Sequence, residues 1–187
     1  MLRKMPLKTK TPLRAKTPLK PKKKSEKLVE KKVHRKRRTE PNYVADMDKV
    51  FQFYIRLRDV MPGGYGRCIS CGKIKPFDHL QAGHFFGRAH FSTRWHEDNV
   101  NAECEWDNCW NGEHLLTYKE NLIKKIGIQR FKLLELTKNQ TRKWTAVEIK
   151  IMIKYYAKQI MQLSASKHIP VSKGVLDIII RYEKKKL

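Results

Sequence analysis

The chain has 187 residues, and its 42 Lys and Arg outnumber 18 Asp and Glu, which gives a formal net charge of +24. No apolar run approaches the roughly 20 residues that a membrane-spanning helix needs, and the N-terminus has no apolar segment of signal-peptide type, so we expect neither a membrane protein nor a secreted one. The expected partner is a polyanion. DNA or RNA is favoured over a membrane surface because no basic amphipathic anchor stands out.

Much of the positive charge lies near the N-terminus. Residues 1–40 hold 17 Lys and Arg and 3 acidic residues, a net charge of +14, and residues 41–187 hold 25 and 15, a net charge of +10. Prolines and mutually repelling lysines predict that residues 1 to about 24 are disordered, and residues 25–38 could become helical against DNA, so that residues 1–40 together form a disordered basic tail. Such a tail is expected to bind phosphates without sequence preference, and a purely solubilising tail is the alternative. Its candidate nucleic-acid-binding residues are Lys22, Lys23, Lys24, Arg35, Lys36, Arg37 and Arg38.

The remaining chain has the length of one domain, with residues 41–166 as its main part and residues 167–187 as an extension of open role. Apolar residues recur at helical spacing over residues 43–60 and predict an amphipathic helix that ends before Pro62. Residues 74–86 have little helical pattern and predict two short antiparallel strands.

The second half of the body is predicted to be mostly helical. A helix is expected to begin near Asn101 or Glu103, and another covers residues 115–126 with Gly127 as its C-cap. Thr145 and Glu148 have the spacing of a capping box, which predicts a long helix ending near Ser164. Residues 175–182 are apolar and could be helix or strand. Together these elements predict an α+β fold.

The four cysteines form two pairs, Cys68-x2-Cys71 and Cys104-x4-Cys109. Paired cysteines in a reducing compartment usually hold a metal ion, and a Cys-x2-Cys turn brings two thiolates to one zinc ion. Asp107 competes with Cys109 as the fourth ligand because it lies three residues after Cys104, at helical spacing. Reduced core cysteines without a metal ion are the alternative.

Between the two cysteine pairs lies His84, followed by Asn99. A neutral imidazole at the end of a strand and near a divalent ion is suited to activating a water molecule. Asn99 could fix the tautomer of the imidazole through its side-chain carbonyl. A surface histidine with no catalytic role is the alternative interpretation of His84.

The order and spacing of these motifs resemble the lambdoid phage NinG (Rap) recombination proteins, a family of HNH-type (ββα-metal) endonucleases. The matching residues are Cys68, Cys71, Ala82, Gly83, His84, Arg94, Asn99, Cys104, Tyr118, the segment 122–127, Trp144, Thr145 and Glu148. The resemblance covers about residues 43–163. It implies a zinc-stapled ββα finger flanked by helices, and a Mg- or Mn-dependent nuclease that cuts branched recombination intermediates such as D-loops and Holliday-type junctions.

The resemblance also implies roles for individual residues. His84 would be the general base, Asn99 the central Asn of the HNH signature, and Asn108 a ligand of the catalytic metal. One structural zinc ion per chain would be held by Cys68, Cys71, Cys104 and a fourth residue.

The fourth zinc ligand depends on the alignment. The second cysteine pair of the family is usually Cys-x2-Cys-Asn, and without a gap its second Cys falls on Asp107 and its Asn on Asn108. Cys109 is the alternative, but it would put Trp110 at the position of the metal-binding Asn, and Trp cannot bind a metal. Asp107 is therefore favoured.

The chain also departs from the pattern of many HNH nucleases at the residue before the general base. Many HNH nucleases carry a metal-binding Asp or His there, whereas this chain has Gly83, as the family does. Gln81 lies nearby but is a poor replacement for a carboxylate, and Asp78 is a candidate for the missing ligand.

Arg88 and Arg94 are candidate phosphate contacts, with solvated charges as the alternative. A set of aromatic residues could pack against unstacked bases at a junction, or fill the core of the finger: Phe85, Phe86, Phe91, Trp95, Trp106 and Trp110. The expected partner is branched DNA, without a membrane, and a homodimer could form through the helix after Thr145. The expected location is the cytoplasm of a bacterial host cell.

Two other functions remain open on the sequence. A non-catalytic zinc-finger DNA-binding protein is supported by the missing carboxylate beside His84. An RNA-associated structural protein would suit the tail, but it leaves His84 and Asn99 unexplained.

Overall fold

The computed structural model describes residues 42–184, so the predicted tail with its seven basic candidates lies outside the described residues. The elements in chain order are α1 (Tyr43–Asp59), β1 (Tyr65–Arg67), β2 (Ile74–Pro76), a single 3-10 turn (Phe77–His79), β3 (Leu80–His84), β4 (Val100–Cys104), α2 (Glu105–Cys109), α3 (His114–Ile126), α4 (Ile128–Lys138), α5 (Ala146–Lys167) and α6 (Lys173–Glu183). This content confirms the predicted α+β class.

Helix α1 is the centre of the main hydrophobic core. Asn42 caps its start, because the Asn42 side-chain oxygen accepts a hydrogen bond of 3.2 Å from the amide of Ala45. One face packs on α5, on α6 and on the β3–β4 pair. Its fully buried side chains include Met47, Val50 and Ile55. The helix predicted for residues 43–60 is confirmed to within one residue.

The strands form two antiparallel pairs, β1 with β2 and β3 with β4. Residues 74–86 do contain two short strands, but they do not pair with each other, so that part of the prediction was wrong. The partner of β3 is β4, which occupies the positions where a helix was expected to begin. All five residues of β4 are buried, including the polar Asn101 and Glu103, although the strand alternates between apolar and polar residues as a half-buried strand would. Helix α2 starts only at Glu105.

Helices α3 and α4 form a smaller core with the loop that follows β3. Its buried residues are Tyr118, Leu122, Phe131 and Leu134. Gly127 separates the two helices with φ of 84°, and its amide donates to the carbonyl of Ile123 at 2.8 Å. The predicted C-cap at Gly127 is confirmed.

The last two helices complete the main core. The capping box of Thr145 and Glu148 is present at the start of α5, which runs to Lys167 rather than ending near Ser164. The ambiguous apolar segment is helix α6, which buries Val175 and Ile178 in the main core. Among the described residues, no helix is long and apolar enough to cross a membrane.

Candidate active site and metal centre

Four predicted zinc ligands lie together where two strands end. Cys68 and Cys71 are in the turn after β1, Cys104 ends β4, and Asp107 is in the first turn of α2. Their ligand atoms all lie within 4.8 Å of one another. The Sγ atoms of Cys71 and Cys104 are 3.8 Å apart, which is about the separation expected for two sulfurs bound to one tetrahedral zinc ion at roughly 2.3 Å each. This donor set could hold a metal ion such as zinc.

The electrostatics of the cluster suit Asp107 as a ligand. Oδ2 of Asp107 lies 3.2 Å from Sγ of Cys68 and 3.1 Å from Sγ of Cys104. Burial raises the pKa of the Cys68 thiol. Burial also acts to raise the pKa of Asp107, but hydrogen bonds from the three thiols and from Asn111 outweigh it and hold that pKa well below its usual range. Asp107 is therefore a carboxylate, which is the form that binds a metal ion.

Cys109 lies outside this cluster. It is exposed, and its Sγ atom lies 3.4 Å from Oε1 of Gln81. In the regular α2 helix, the residue at i+3 from Cys104 turns toward the other ligands, whereas the residue at i+5 turns away. The structure therefore brings Asp107, and not Cys109, to the three cysteines.

A cleft of about 720 Å³ runs beside β3, between α1 and the start of α3. Its polar lining comes from six elements or loops: Lys49, Gln52, Arg56, Gln81, His84, Arg88, Asn108, His114 and Ser172. None of the described residues lining the cleft is acidic. Three basic side chains at a concave surface favour a negatively charged ligand such as a phosphate group.

His84 ends β3 and faces this cleft. Its Nε2 atom lies 3.0 Å from the carbonyl oxygen of Arg94, so Nε2 carries the proton and Nδ1 the lone pair in the neutral imidazole. Burial lowers the pKa of His84, the positive charge of Arg88 lowers it further, and the carbonyls of Arg94 and Ala82 oppose this only in part. A neutral imidazole is the protonation state that a general base needs.

Asn99 holds the loop after β3 rather than the imidazole. It is fully buried, its Oδ1 accepts from the amide of Phe86 at 2.8 Å, and its Nδ2 donates to the carbonyls of Phe86 and Thr93. The expectation that its side-chain carbonyl fixes the tautomer of His84 was wrong, because the main-chain carbonyl of Arg94 occupies that place.

The two predicted arginines differ in their surroundings. Arg94 forms a two-bond ion pair with Asp48 through Nε and Nη2, and its Nη1 donates to the carbonyl of Arg88 at 2.9 Å. Its guanidinium is thus engaged within the protein and its phosphate contact stays a prediction. Arg88 is exposed and lines the cleft.

Asn108 projects from α2 into the cleft, where its Nδ2 donates to Oε1 of Gln81 at 2.6 Å. Because Nδ2 is used in this bond, Oδ1 of Asn108 is the atom that could bind a cation. Asp78, proposed as a replacement carboxylate, lies in a different cleft with Lys167 and is not brought to His84.

The sequence analysis missed three basic or histidine side chains of the cleft, Lys49, Arg56 and His114. Lys49 and Arg56 lie seven residues apart on α1, and this polar stripe opposite the apolar face could have revealed them. His114 begins α3, and its Nδ1 lies 2.7 Å from Oε1 of Glu103. One of seven histidines, ten residues beyond Cys104, it carries no sequence signal of its own.

The aromatic set divides between core and surface. Trp95 is buried, and Phe85 and Phe86 pack against the smaller core. Trp106 and Trp110 are 67% and 73% exposed, and Phe91 is 37% exposed. Only the exposed members are available to a ligand without rearrangement.

One comparison with known proteins identifies relatives. The profile of a family described as the bacteriophage lambda NinG protein matches residues 2–166, which include the cysteine cluster, β3, β4 and most of α5. No curated protein and no solved structure matches the chain.

Proposed function

The chain belongs to the bacteriophage lambda NinG family, and from that premise we propose that it is a metal-dependent endonuclease of the HNH type. Its substrates would be branched DNA intermediates of phage recombination, such as D-loops and Holliday-type junctions. The observation that carries the proposal is the neutral, partly buried His84 at the wall of a basic cleft.

The residues of the cleft suggest a division of labour in phosphodiester hydrolysis. His84 would accept a proton at Nδ1 from the water molecule that attacks phosphorus. Lys49, Arg56 and Arg88 would hold the phosphate and balance the charge that develops on its oxygens. Arg94 would act through its main chain and not through its guanidinium, because its carbonyl keeps the proton of His84 on Nε2.

The two metal ions of the proposal have different roles. Zinc in the cluster of Cys68, Cys71, Cys104 and Asp107 would join the β1 turn to α2, and thereby fix Asn108 in the cleft that His84 also lines. Asn108 would be a ligand of the catalytic Mg²⁺ or Mn²⁺, and that ion would supply stabilisation of charge on the phosphate and the leaving 3′ oxygen.

A nicking assay tests the proposal. Zinc-loaded protein is incubated with linear, forked, D-loop and four-way DNA, with Mg²⁺, with Mn²⁺ or with chelator. We expect cleavage of the branched substrates that needs the divalent ion. His84→Ala should lose at least about a hundredfold in rate, which is typical for removal of a general base, and should keep its affinity for DNA.

His79→Ala is the matched control, because His79 is exposed and does not line the cleft with His84. It should cleave like the parent protein. Equal cleavage by the parent and His84→Ala would exclude His84 as the base.

The alternative is a zinc-containing DNA-binding protein without catalysis. The hydrogen bond between Asn108 and Gln81 favours it, since this pair offers amides where a catalytic ion is best served by a carboxylate. That alternative predicts tight, salt-dependent DNA binding and no cleavage with either ion.

A further inference from the structure

His114 and Glu103 form a carboxylate–imidazole pair at the cleft that Asn108 also lines. His114 lines the cleft, and its side chain is 16% exposed, whereas the side chain of Glu103 is fully buried behind it. Nδ1 of His114 lies 2.7 Å from Oε1 of Glu103. Because a carboxylate accepts hydrogen bonds, in the neutral imidazole Nδ1 carries the proton and Nε2 has the lone pair.

Glu103 is held firmly in place. The hydroxyl of Ser70 donates a hydrogen bond to the same Oε1 atom. The other oxygen, Oε2, is buried and has no hydrogen-bond partner among the described residues. A buried carboxylate with an unpartnered oxygen is costly unless a positive charge lies close by.

The position of Glu103 also explains why residue 83 has no side chain. A Cβ atom on Gly83 would lie 2.1 Å from Oε2 of Glu103, which is far inside van der Waals contact. Gln81 and Glu103 are directly opposite in the β3–β4 register, and Gly83 is on the same face two residues further along. The carboxylate of β4 thus fills the space that a side chain directly before His84 would need.

We propose that His114 is a second protein ligand of a divalent cation in the cleft, through Nε2, beside Oδ1 of Asn108. Glu103 is its positioning residue: it fixes the ring and the tautomer and provides the negative charge that a bound cation balances. A carboxylate behind a metal-binding histidine is a recurrent arrangement, and it raises the basicity of the ligand. The role of the ion in cleavage rests on the proposed nuclease function, whereas its binding does not.

This ligand pair has a consequence for the choice of cation. Carboxylate, carbonyl and water oxygens suit Mg²⁺, whereas an imidazole nitrogen suits divalent ions of the first transition row better than it suits Mg²⁺. A site made of one imidazole and one amide oxygen should therefore prefer Mn²⁺ to Mg²⁺. His114→Asp would supply a carboxylate and should move the preference toward Mg²⁺.

Calorimetric titration of MnCl₂ and of MgCl₂ into the zinc-loaded full-length chain tests the site without DNA. The zinc load keeps the cysteine cluster occupied. We expect one Mn²⁺ site in the parent protein, at least about tenfold weaker in His114→Ala, and weaker by about tenfold in Glu103→Gln, which keeps the shape but loses the charge. His79→Ala, an exposed histidine outside the cleft, should bind Mn²⁺ like the parent.

Three outcomes would overturn the site. The first is a parent protein without a Mn²⁺ site, and the second is an unchanged Mn²⁺ affinity in His114→Ala. The third applies if His114→Ala does not fold. In that case the site is overturned if His114→Asp folds and shows the same ratio of Mn²⁺ to Mg²⁺ affinity as the parent. A His114→Ala protein that loses DNA affinity but keeps Mn²⁺ would identify His114 as a phosphate contact instead.

The site and the proposed function fail in different ways. A parent protein that binds Mn²⁺ through His114 but never nicks DNA would remove the nuclease function and leave the metal site. A parent protein that nicks DNA, with Mn²⁺ affinity untouched in His114→Ala, would remove the metal site and leave the nuclease.

Discussion

The Nε2 atom of His84 lies 3.0 Å from the main-chain carbonyl oxygen of Arg94, and the side chain of Arg94 forms an ion pair with Asp48 of α1. The guanidinium also lies over the rings of Phe91 and Trp95. A residue predicted to bind phosphate thus connects the central helix to the candidate general base. The protonation pattern of His84 depends on a loop that α1 holds in place.

The first prediction concerns the pH dependence of cleavage. Burial and the charge of Arg88 lower the pKa of His84 below its ordinary value of 6.5. Because a general base acts when unprotonated, kcat/KM should rise with pH and reach its plateau with a midpoint below 6.5. Arg88→Gln removes the nearby positive charge and should move that midpoint upward, as measured by single-turnover cleavage from pH 5 to 8.

Lys158→Gln is the control for this shift, since Lys158 is an exposed lysine on α5. It should leave the midpoint where it is in the parent protein. A midpoint that does not respond to Arg88→Gln would mean that another group controls the acidic limb.

The second prediction concerns the ion pair of Asp48 and Arg94. Their side chains are only 16% and 15% exposed, and Oδ1 of Asp48 also accepts from Nε1 of Trp95 at 2.8 Å. Asp48→Asn keeps the size but removes the charge, and should lower the free energy of unfolding by about 1–3 kcal/mol in urea denaturation at pH 7. Cleavage should fall as well, because the loop that orients His84 loses its anchor.

The pH dependence of stability gives an independent check on Asp48. Burial alone would raise its pKa, but the hydrogen bonds from Arg94 and Trp95 outweigh burial and lower it below the ordinary 3.8. The stabilisation is therefore fully present above pH 3.8 and is lost as the pH falls through the lowered value. The difference in stability between the parent and Asp48→Asn should shrink in acid. A difference that stays constant down to pH 2 would contradict the lowered pKa.

The third prediction separates the two candidates for the fourth zinc ligand. Asp107→Ala removes an oxygen that lies 3.1–3.2 Å from two of the cysteine sulfurs, and should lower the zinc content well below one ion per chain. Cys109→Ser should retain one zinc ion, because Cys109 is exposed and outside the cluster. Elemental analysis after dialysis measures both, and loss of zinc from Cys109→Ser alone would reverse the assignment.

Local patterns predicted the elements whose partners are close in sequence. Helix α1 and the capping box of α5 could be recognised because their signals repeat within one or two turns. The cysteine cluster could be anticipated because cysteine ligands at Cys-x2-Cys spacing are typical of a metal site. Strand β4 was missed even though its five residues alternate between apolar and polar, because so short a run is a weak signal and its polar members Asn101 and Glu103 are buried with the rest.

Long-range contacts left no trace in the local pattern. The Nζ atom of Lys167 donates to the carbonyls of Leu57 and Val60, each at 2.6 Å, and so satisfies the end of α1 from the far end of α5. The pair of His114 and Glu103 likewise depends on how α3 lies against β4. Nothing in the sequence near either residue specifies its partner, because the distance is determined by the packing of whole elements.

The fourth prediction tests the close approach of Gly83 and Glu103 by a double-mutant cycle. Gly83→Ala would place a methyl group 2.1 Å from Oε2 and 2.9 Å from Cβ of Glu103, so strand β3 or the carboxylate must move. We expect a loss of about 1–3 kcal/mol in the free energy of unfolding, typical of overpacking, and a weaker Mn²⁺ site because His114 loses its anchor. In the Glu103→Ala background the methyl group has room, so Gly83→Ala should cost much less there. Equal costs in the two backgrounds would show that the two residues do not compete for the same space.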